Sequence, residues 1–330
     1  MKLLRKIGFP ISLVYGLVVY IRNMIFDRGI FRSLSYGTST ICVGNLSVGG
    51  TGKTPMIEYL IELLKENSQL AVLSRGYGRK SHGYLKAVPS TTVEQIGDEP
   101  FQIYKKYPQV TVVVDAHRRH GISLLEAQEN PDLILLDDAF QHRKVTPTFS
   151  ILLTAYGQLY VDDWYLPTGN LRDSKREAKR ANLIVVTKCP TNLRLEDQEE
   201  IIKKLNPLNH QKVLFSSLVY DTVLQGEGDT LNLGALRNKK VLLVTGIANP
   251  EPLVTYLKEA SVSLEHLEFG DHHFFTEKEI RSFSSKELIL TTEKDFVRLQ
   301  GKVANLYYIR IKHRFIGDGR QQLAKALESL

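Results

Sequence analysis

The glycine-rich segment after residue 43 constrains the fold more than any other part of this chain. The run Ser39 to Val43 is β-prone, the next residues read Gly-Asn-Leu-Ser-Val-Gly-Gly-Thr-Gly-Lys-Thr, and an amphipathic helical pattern runs from Met56 to Glu66. A strand that feeds a glycine-rich loop and then a helix is typical of a phosphate-binding loop. Glycines let backbone N–H groups converge on phosphate oxygens, and the helix N-terminus adds a partial positive charge.

The loop is predicted to bind ATP and Mg²⁺. Lys53 would reach the β- and γ-phosphates, and the hydroxyl of Thr54 would contact the metal ion. The strict pattern has a glycine where this chain has Ser47, and the alternative is a tight structural turn. The surrounding strand and helix favour the nucleotide loop, whose predicted binding residues are Gly49, Gly50, Thr51, Gly52, Lys53 and Thr54.

A second signal is an apolar run that ends in two carboxylates, from Leu133 to Asp138. A buried strand that ends in acidic residues matches the Walker B arrangement, in which an aspartate supports the Mg²⁺ shell. Neighbouring strand residues face opposite ways, so we expect only one of Asp137 and Asp138 to reach the metal directly. The alternative is that one of them caps a following turn.

Strand patterns alternate with helical patterns from about residue 39 to residue 187. This alternation predicts an α/β fold of the P-loop NTPase type, with a mostly parallel sheet and helices on both faces. The pattern of strands and helices changes after Lys188, and the later strand and helix patterns indicate a second, smaller α/β lobe. We expect an N-terminal segment over 1–32, a phosphate-loop unit over 33–211, and a second lobe over 212–330 that includes a linking β-ribbon and the C-terminal helix.

The charge balance and the cysteines narrow the function only slightly. The formal net charge of +7 fits a nucleotide, a nucleic acid or an anionic lipid and does not choose among them. Cys42 and Cys189 have no metal-type spacing and are too few for a disulfide framework. We interpret them as core residues in a reducing compartment.

The first 32 residues combine an apolar run, Ile7 to Ile21, with basic flanks. The flanking basic residues are Lys2, Arg5, Lys6, Arg22, Arg28 and Arg32. The run is short for a spanning helix, which needs about 20 apolar residues, and no signal-peptide cleavage site follows it. We expect a helix that lies in the membrane interface with its cationic flanks near anionic lipid. The alternative is a core helix packed on the sheet.

Three polar segments allow both a functional and a structural interpretation. They are residues 97–100, 166–173 and 270–276. Asp98 could cap a helix, and Arg172 and Asp173 could form a surface ion pair of little energetic value. Asp271 could cap a turn and leave His272 exposed. Residue chemistry alone favours the structural alternative for each segment.

Taken together, the motifs closely resemble those of the tetraacyldisaccharide 4′-kinase, or lipid A 4′-kinase, family. They occur in the family's order between about Val43 and Asp295. They read Gly-Asn-Leu-Ser-Val-Gly-Gly-Thr-Gly-Lys-Thr-Pro, Ser-Arg-Gly-Tyr-Gly, Gly-Asp-Glu-Pro, Asp-Asp-Ala-Phe-Gln-His, Leu-Pro-Thr-Gly-Asn-Leu-Arg-Asp, Asp-His-His-Phe and Thr-Thr-Glu-Lys-Asp. Any one tetrapeptide would be a weak signal, whereas the ordered set is highly specific.

The resemblance implies an activity and a location. The implied reaction is ATP-dependent phosphorylation of the 4′-hydroxyl of a tetraacylated glucosamine disaccharide 1-phosphate, which gives lipid IVA in lipid A biosynthesis. The implied enzyme is peripheral, on the cytoplasmic face of the inner membrane. Its partners are the acylated disaccharide lipid and the membrane surface, with no nucleic acid and no obligate protein partner. Two α/β/α lobes joined by a β-ribbon are implied, with the site in the cleft between them.

The resemblance also implies residue roles. Asp98 is the implied base, and His272 is its implied partner. The implied catalytic set is Asp98, His272, Lys53, Arg172 and Asp173. The implied metal set is Thr54, Asp137 and Asp138.

The chain departs from the family where Asp173 replaces the usual Glu, where Asn170 replaces a common Pro, and where Ala139 replaces a common Gly. The first departure shortens a carboxylate by one methylene and leaves the role of Asp173 open.

Two other functions remain as alternatives. A membrane-associated P-loop ATPase without a lipid acceptor has a lysine just before its Gly-Gly pair, where this chain has Val48. The other is a non-catalytic membrane adaptor that uses nucleotide as a switch. The retained Lys53, Thr54, Asp137 and Asp138 argue against it. Phosphate release without lipid would favour the ATPase.

Overall fold

The protein is described by a computed structural model that covers residues 8–237, 239–283, 285–328 and 330. Within these residues the chain forms a sheet of nine strands and a sheet of six strands. Part of the predicted N-terminal segment, Lys2, Arg5, Lys6 and Ile7, lies outside the described residues.

The elements that lead through the first sheet follow in chain order. They are α1 (Phe9–Asp27), β1 (Ser39–Asn45), α2 (Lys53–Leu64), β2 (Leu70–Ser74), β3 (Leu85–Lys86), α3 (Val93–Ile96), α4 (Asp98–Lys106), β4 (Thr111–Val114), α5 (Arg118–Gln128), β5 (Leu133–Asp137), β6 (Phe149–Ala155), β7 (Leu183–Thr187), α6 (Leu195–Leu205) and β8 (Lys212–Tyr220). Short 3₁₀ turns cover Tyr160–Asp162 and Lys175–Arg180.

The later elements form the second sheet and then return to the first. They are β9 (Val223–Gln225), β10 (Thr230–Asn232), a 3₁₀ turn (Leu233–Leu236), β11 (Lys240–Thr245), α7 (Glu251–Glu259), β12 (Ser263–Glu268), α8 (Glu277–Phe283), β13 (Leu288–Thr292), α9 (Glu293–Leu299), β14 (Leu306–Ile309), β15 (Ile311–Phe315) and α10 (Gly319–Leu327).

The first sheet has the strand order β15-β8-β7-β6-β1-β5-β2-β4-β3, with β1 near its centre. β1 runs parallel to both neighbours, so that Ile41 lies opposite Leu135 on β5 and Phe149 on β6. Ile41 belongs to one core cluster and the adjacent Cys42 to another, because successive strand residues enter cores on opposite faces. The predicted α/β class with a mostly parallel sheet is confirmed.

The second sheet has the order β10-β9-β14-β13-β11-β12. Strands β12, β11, β13 and β14 are parallel, and β9 and β10 add antiparallel pairs at one edge. Leu243 and its neighbour Leu242 enter separate core clusters on the two faces. This smaller parallel sheet agrees with the second α/β lobe expected from the sequence.

Strand pairing differs from the expected boundary at residue 212. β8 pairs with β7 in parallel, and β15 pairs with β8 in antiparallel, so both strands extend the first sheet. Leu323 and Leu327 of α10 pack in the core that contains β1. The C-terminal helix thus belongs with the first sheet and not with the second lobe. An apolar strand pattern looks the same in either sheet, and only long-range pairing decides which sheet it joins.

Helices α4 and α9 carry the contact between the two parts of the fold. Lys106 of α4 lies 2.7 Å from Glu58 of α2 and 2.9 Å from Glu293 of α9, measured from its ammonium to the carboxylate oxygens. All three side chains are largely buried. A buried charge group of this kind is costly unless each member is paired, so it fixes the position of α9 against α2 and α4.

Helix α1 packs on the first part of the fold through a narrow stripe and leaves the rest of its surface exposed. Its buried residues are Ser12, Gly16, Val19 and Asn23. A Cβ at Gly16 would lie 2.8 Å from the Tyr165 ring, so only glycine permits this approach. By length and composition α1 could cross a membrane, and only 17% of its most apolar stretch of 18 residues is buried in the protein. It is therefore not a core helix packed on the sheet, which was the alternative interpretation.

Candidate active site

The phosphate-binding loop connects β1 to α2 in the way the sequence predicts. Gly49 and Gly52 have φ values of +114° and +86°, which L side chains rarely adopt. Gly52 is the N-cap of α2, and among the described residues no side chain accepts a capping hydrogen bond from the start of this helix. The first backbone N–H groups of α2 are therefore free for a ligand. The ammonium of Lys53 lies 3.9 Å from the nearer carboxylate oxygen of Asp138.

Three side chains outside the loop hold it in place, two of them through its backbone carbonyls. Asn45 Nδ2 donates to Thr51 Oγ1 at 2.9 Å, and the Thr187 hydroxyl donates to the Thr51 carbonyl at 2.8 Å. His313 of β15 donates from Nε2 to the Gly52 carbonyl at 2.9 Å, and burial lowers the pKa of His313 to about 4. The ring is therefore neutral at physiological pH. Sequence reasoning missed Thr187 and His313, because both are brought to the loop by strand pairing alone.

The two carboxylates after β5 have different surroundings. Asp137 accepts from the Ser74 hydroxyl at 2.9 Å through Oδ2, while its buried Oδ1 has no hydrogen-bond partner among the described residues. Burial, reinforced by the charges of Glu99 and Asp138, raises the pKa of Asp137 to about 7. Glu99, the second residue of α4, is thus close enough to Asp137 for its charge to oppose ionisation.

Asp138 is paired with Arg172. The Arg172 guanidinium donates from Nη1 to Asp138 Oδ2 at 3.0 Å and from Nη2 to Oδ1. Burial alone would raise the pKa of Asp138, but the Arg172 hydrogen bonds and the Lys53 charge outweigh it and hold the pKa below its usual value. Arg172 also donates to Asn45 Oδ1 at 2.5 Å. The structure thus brings Lys53, Asp138 and Arg172 together beside the loop.

Asp173 does not join this group, although it follows Arg172 in the chain. Its carboxylate is fully buried and accepts from Asn23 Nδ2 at 2.8 Å and from the Ser174 backbone N–H at 2.8 Å. Arg22 donates to the same carboxylate at 3.4 Å. Asp173 therefore anchors α1, and its carboxylate does not meet Lys53 or Asp138. The surface ion-pair interpretation of Arg172 and Asp173 does not describe either residue.

A second cluster joins the start of α4 to residues near the second sheet. His272 Nδ1 lies 2.7 Å from Asp98 Oδ2 although the two residues are 174 positions apart. Arg298 of α9 donates from Nε to Asp98 Oδ1 at 2.8 Å and from Nη2 to Oδ2. Sequence reasoning missed Arg298, whose only local signal is its position three residues after Asp295 in the Thr-Thr-Glu-Lys-Asp segment.

The partners of Asp98 favour its ionised form. Burial alone would raise the pKa of Asp98, but hydrogen bonds from His272 and Arg298 and the Arg298 charge hold it below the usual value. Asp98 is the first residue of α4 and not its cap, because Gly97 occupies the N-cap position. The helix-cap interpretation is therefore wrong, and the carboxylate is directed to the other part of the fold.

The described residues contain no group of three or more His, Cys, Asp or Glu side chains arranged to hold a metal ion. This does not exclude Mg²⁺ at a phosphate loop, because Mg²⁺ there usually takes one or two carboxylates together with phosphate oxygens and water. The unpaired, buried Oδ1 of Asp137 has the chemistry of such a ligand. Phosphate loops usually offer Mg²⁺ a hydroxyl oxygen at the position that Thr54 occupies.

Comparison with known proteins gives matches that cover most of the chain. The family model described as tetraacyldisaccharide-1-P 4′-kinase matches residues 4–330. The tetraacyldisaccharide 4′-kinase of Flavobacterium johnsoniae is 50% identical over 322 residues, which are 96% of this chain and 94% of that protein. The protein of the same name from Bacteroides thetaiotaomicron is 46% identical over 88% of this chain and 82% of its own.

A solved structure is similar over the same extent. The crystal structure described as the "apo" form of LpxK from Aquifex aeolicus in complex with ATP has a TM-score of 0.82 to this chain. The two sequences are 29% identical, and the alignment covers 99% of each chain.

Proposed function

This chain belongs to the tetraacyldisaccharide-1-P 4′-kinase family, and from that premise we propose that it transfers the γ-phosphoryl group of ATP to the 4′-hydroxyl of a tetraacylated glucosamine disaccharide 1-phosphate. The product would be lipid IVA, in lipid A biosynthesis. The observation that carries the proposal is the combination in one chain of a phosphate loop next to two carboxylates and an interlobe aspartate–histidine pair. ATP is also the nucleotide of the similar Aquifex aeolicus structure.

In this proposal Asp137 and the Thr54 hydroxyl would hold Mg²⁺. Asp137 has a free buried oxygen, whereas both oxygens of Asp138 accept from Arg172. Asp138 would instead orient Arg172 and Lys53 toward the phosphates. When bound, Mg²⁺ supplies charge neutralisation at the β- and γ-phosphates. Lys53 and Arg172 stabilise the charge that develops on the transferring group.

The Asp98 carboxylate would accept the proton that the sugar hydroxyl loses as it attacks the γ-phosphorus. A carboxylate offers about four lone-pair sites, and three are occupied here by donors from His272 and Arg298. The remaining site, on Oδ1, would receive the proton of the hydroxyl. His272 and Arg298 are positioning residues in this scheme, since they fix the direction of that lone pair and keep the carboxylate ionised.

Asp173 would act through α1 and not on the reacting atoms. Its buried carboxylate holds Asn23 and Arg22 of that helix, while the Tyr15 hydroxyl donates to the backbone carbonyl of Arg172 at 3.0 Å. The helix is thereby linked to the segment that carries Arg172. We assign Asp173 a positioning role, in which the lipid-side helix and the phosphate site keep one fixed geometry.

The exposed apolar face of α1 would lie on the inner membrane, on its cytoplasmic face, where the acylated acceptor lipid resides. Ile11, Val14 and Val18 are each about 60% exposed, and exposed apolar patches of this kind mark interaction surfaces. A helix with an apolar face and cationic neighbours is suited to an anionic lipid surface.

The decisive experiment incubates the purified protein with γ-labelled ATP, Mg²⁺ and a disaccharide 1-phosphate lipid. We expect label on the lipid, loss of most turnover in Lys53→Ala or in excess chelator, and unchanged turnover in the control Lys203→Ala on α6. Labelled inorganic phosphate released at the same rate without lipid would establish the ATPase alternative instead. Near-normal activity of Lys53→Ala would exclude the phosphate-loop assignment.

A further inference from the structure

One lysine beside the phosphate loop is not used by the mechanism above. Lys188 directly follows β7, and the sheet order β7-β6-β1-β5 places it on the opposite side of β1 from Asp137 and Asp138. Its ammonium lies 4.0 Å from the point where a Cβ on Gly50 would be. The loop is therefore flanked by two ammonium groups, Lys53 toward β5 and Lys188 toward β7.

Lys188 differs from the other lysines around the site because its charge is unpaired. Lys53 lies near Asp138, Lys106 is paired with two glutamates, and Lys294 lies 3.3 Å from Asp271. Within the described part of the chain, Lys188 has no hydrogen-bond or ion-pair partner for its ammonium. The residue is exposed as a whole, but partial withdrawal of its charged group from water lowers the pKa of Lys188. An unpaired charge in that position would gain from an anionic ligand.

The backbone holds Lys188 firmly in this place. Its φ is +58°, a left-handed conformation that is uncommon for residues other than glycine, asparagine and aspartate. On one side, Thr187 donates to the Thr51 carbonyl of the loop, and on the other, the Cys189 N–H donates to the Ser216 carbonyl at 3.0 Å. Such a conformation persists only where neighbouring contacts impose it, and it often occurs at functional sites.

The orientation of a bound nucleotide follows from the two sides of the loop. The γ-phosphate must lie toward Lys53 and Asp137, where the lysine and the metal ligand of a phosphate loop act. The phosphate chain then extends away from β5, so that its nucleoside end passes toward β6 and β7. Lys188 stands at that end. Resting on the proposed kinase function, we propose that Lys188 binds the nucleotide's phosphate chain at its nucleoside end.

The ligand chemistry is a phosphate oxygen, which either ATP or the 1-phosphate of the lipid acceptor could supply. We assign the nucleotide as the source, and separate titrations of nucleotide and lipid distinguish the two. Three variants serve: Lys188→Met, which removes the charge and keeps the apolar stem; Lys188→Arg, which keeps the charge; and Lys188→Asn, which suits the left-handed backbone if Lys188→Met is unstable. Lys203→Met on the exposed face of α6 is the matched control.

The measurements are calorimetric Kd values for Mg²⁺–ATP and Mg²⁺–ADP, and KM values for ATP and for the lipid. Loss of a charge-assisted hydrogen bond predicts that Lys188→Met and Lys188→Asn weaken both nucleotides by the same factor, roughly 10- to 100-fold. Lys188→Arg recovers most of the affinity, and the KM for lipid stays within about twofold in all variants.

Several results would overturn the proposal. They are unchanged ATP affinity in Lys188→Met, a loss for ATP with none for ADP, and a raised lipid KM with nucleotide affinity unchanged. The Kd comparison does not depend on phosphoryl transfer. Failure of the wild-type protein to phosphorylate lipid would therefore count against the proposed function, while the nucleotide titrations would still decide the role of Lys188.

Discussion

The guanidinium of Arg298, on α9, donates two hydrogen bonds to the Asp98 carboxylate, from Nε to Oδ1 at 2.8 Å and from Nη2 to Oδ2. Arg298 also donates from Nη1 to the His273 carbonyl at 2.8 Å, so the same side chain fixes the segment that presents His272. Both Arg298 and Asp98 are buried. The geometry of the proposed base is thus set by α9, a helix that lies about 200 residues further along the chain.

Arg298→Met should shift the acid limb of the kcat/KM pH profile to higher pH. The Arg298 hydrogen bonds and charge help to hold the pKa of Asp98 below its usual value, so their loss lets the carboxyl protonate at a higher pH and lose its role as base. Arg298→Lys should shift the limb less, since it keeps the charge. The limb is measured with wild type, Arg298→Met and Arg298→Lys in parallel.

The same variant should be less stable, by about 3–5 kcal/mol at neutral pH if the buried Asp98 charge is left with one partner. A carboxylate with a depressed pKa stabilises the fold above its unfolded pKa, and this contribution is lost as pH falls through the folded pKa. The stability difference should therefore shrink in acid. Arg281→Met, which breaks an exposed pair with Glu277, is the control and should change stability by under about 1 kcal/mol. An unshifted acid limb would show that Arg298 has a purely structural role.

Asp98→Ala should lower kcat by ~10²–10⁴-fold with little change in the KM for ATP, since general-base assistance is worth that much. Asp98→Asn should be as inactive, because an amide cannot accept the proton at neutral pH. His272→Ala should cost less, and the double variant should cost less than the product of the single losses, since the pair acts as a unit. Steady-state kinetics at saturating ATP give each value. An active Asp98→Asn enzyme would remove Asp98 from the mechanism.

Asp137→Asn and Asp138→Asn should have opposite effects on stability. Asp137 is buried with one oxygen unsatisfied, and its pKa is raised from 3.8 to about 7. The stability of the fold therefore falls as pH rises between these two values, and removal of the charge should raise Tm by roughly 2 °C or more at pH 8. Asp138→Asn breaks the ion pair with Arg172 and should lower Tm.

Both variants should lose turnover, and only Asp137→Asn should also lose Mg²⁺ binding in calorimetry with ADP present. A lower Tm together with retained Mg²⁺ binding in Asp137→Asn would contradict this assignment.

Replacement of Val14, Leu17 and Val18 by Gln should release the protein from anionic vesicles. These side chains are between 58% and 63% exposed on α1, away from the stripe that packs on the protein. Activity on detergent-dispersed lipid should stay close to that of wild type. Substitution is preferable to deletion of the helix, because Asn23 and Tyr15 contact the segment around Arg172 and Asp173.

The control for the membrane experiment is Leu195→Gln on α6, an apolar side chain that is 75% exposed in a different place. It should sediment with vesicles as wild type does. If the triple variant also sediments like wild type, the α1 face is not the membrane contact.

The sequence determined the parts of this protein that rest on local order. The phosphate loop is a strand, glycines and a helix in immediate succession, so Lys53 and Thr54 could be placed from about twelve consecutive residues. The carboxylates after β5 follow from a short apolar run, and the parallel sheet follows from alternating periodicities. The pairing of Asp98 with His272 was accessible only through family resemblance, since no spacing relates positions 174 residues apart.

The tertiary structure decided whatever depends on which distant segments meet. Arg172 pairs with Asp138 and not with Asp137, which the sequence does not distinguish. The carboxylate of Asp173, next to Arg172 in the chain, contacts Asn23 of α1 instead. Helix packing brings Arg298 to Asp98 of α4, and strand order brings His313 to the phosphate loop and places Lys188 beside it. Side-chain period and turn chemistry are encoded within a few residues, whereas these contacts depend on burial and pairing summed over the whole fold.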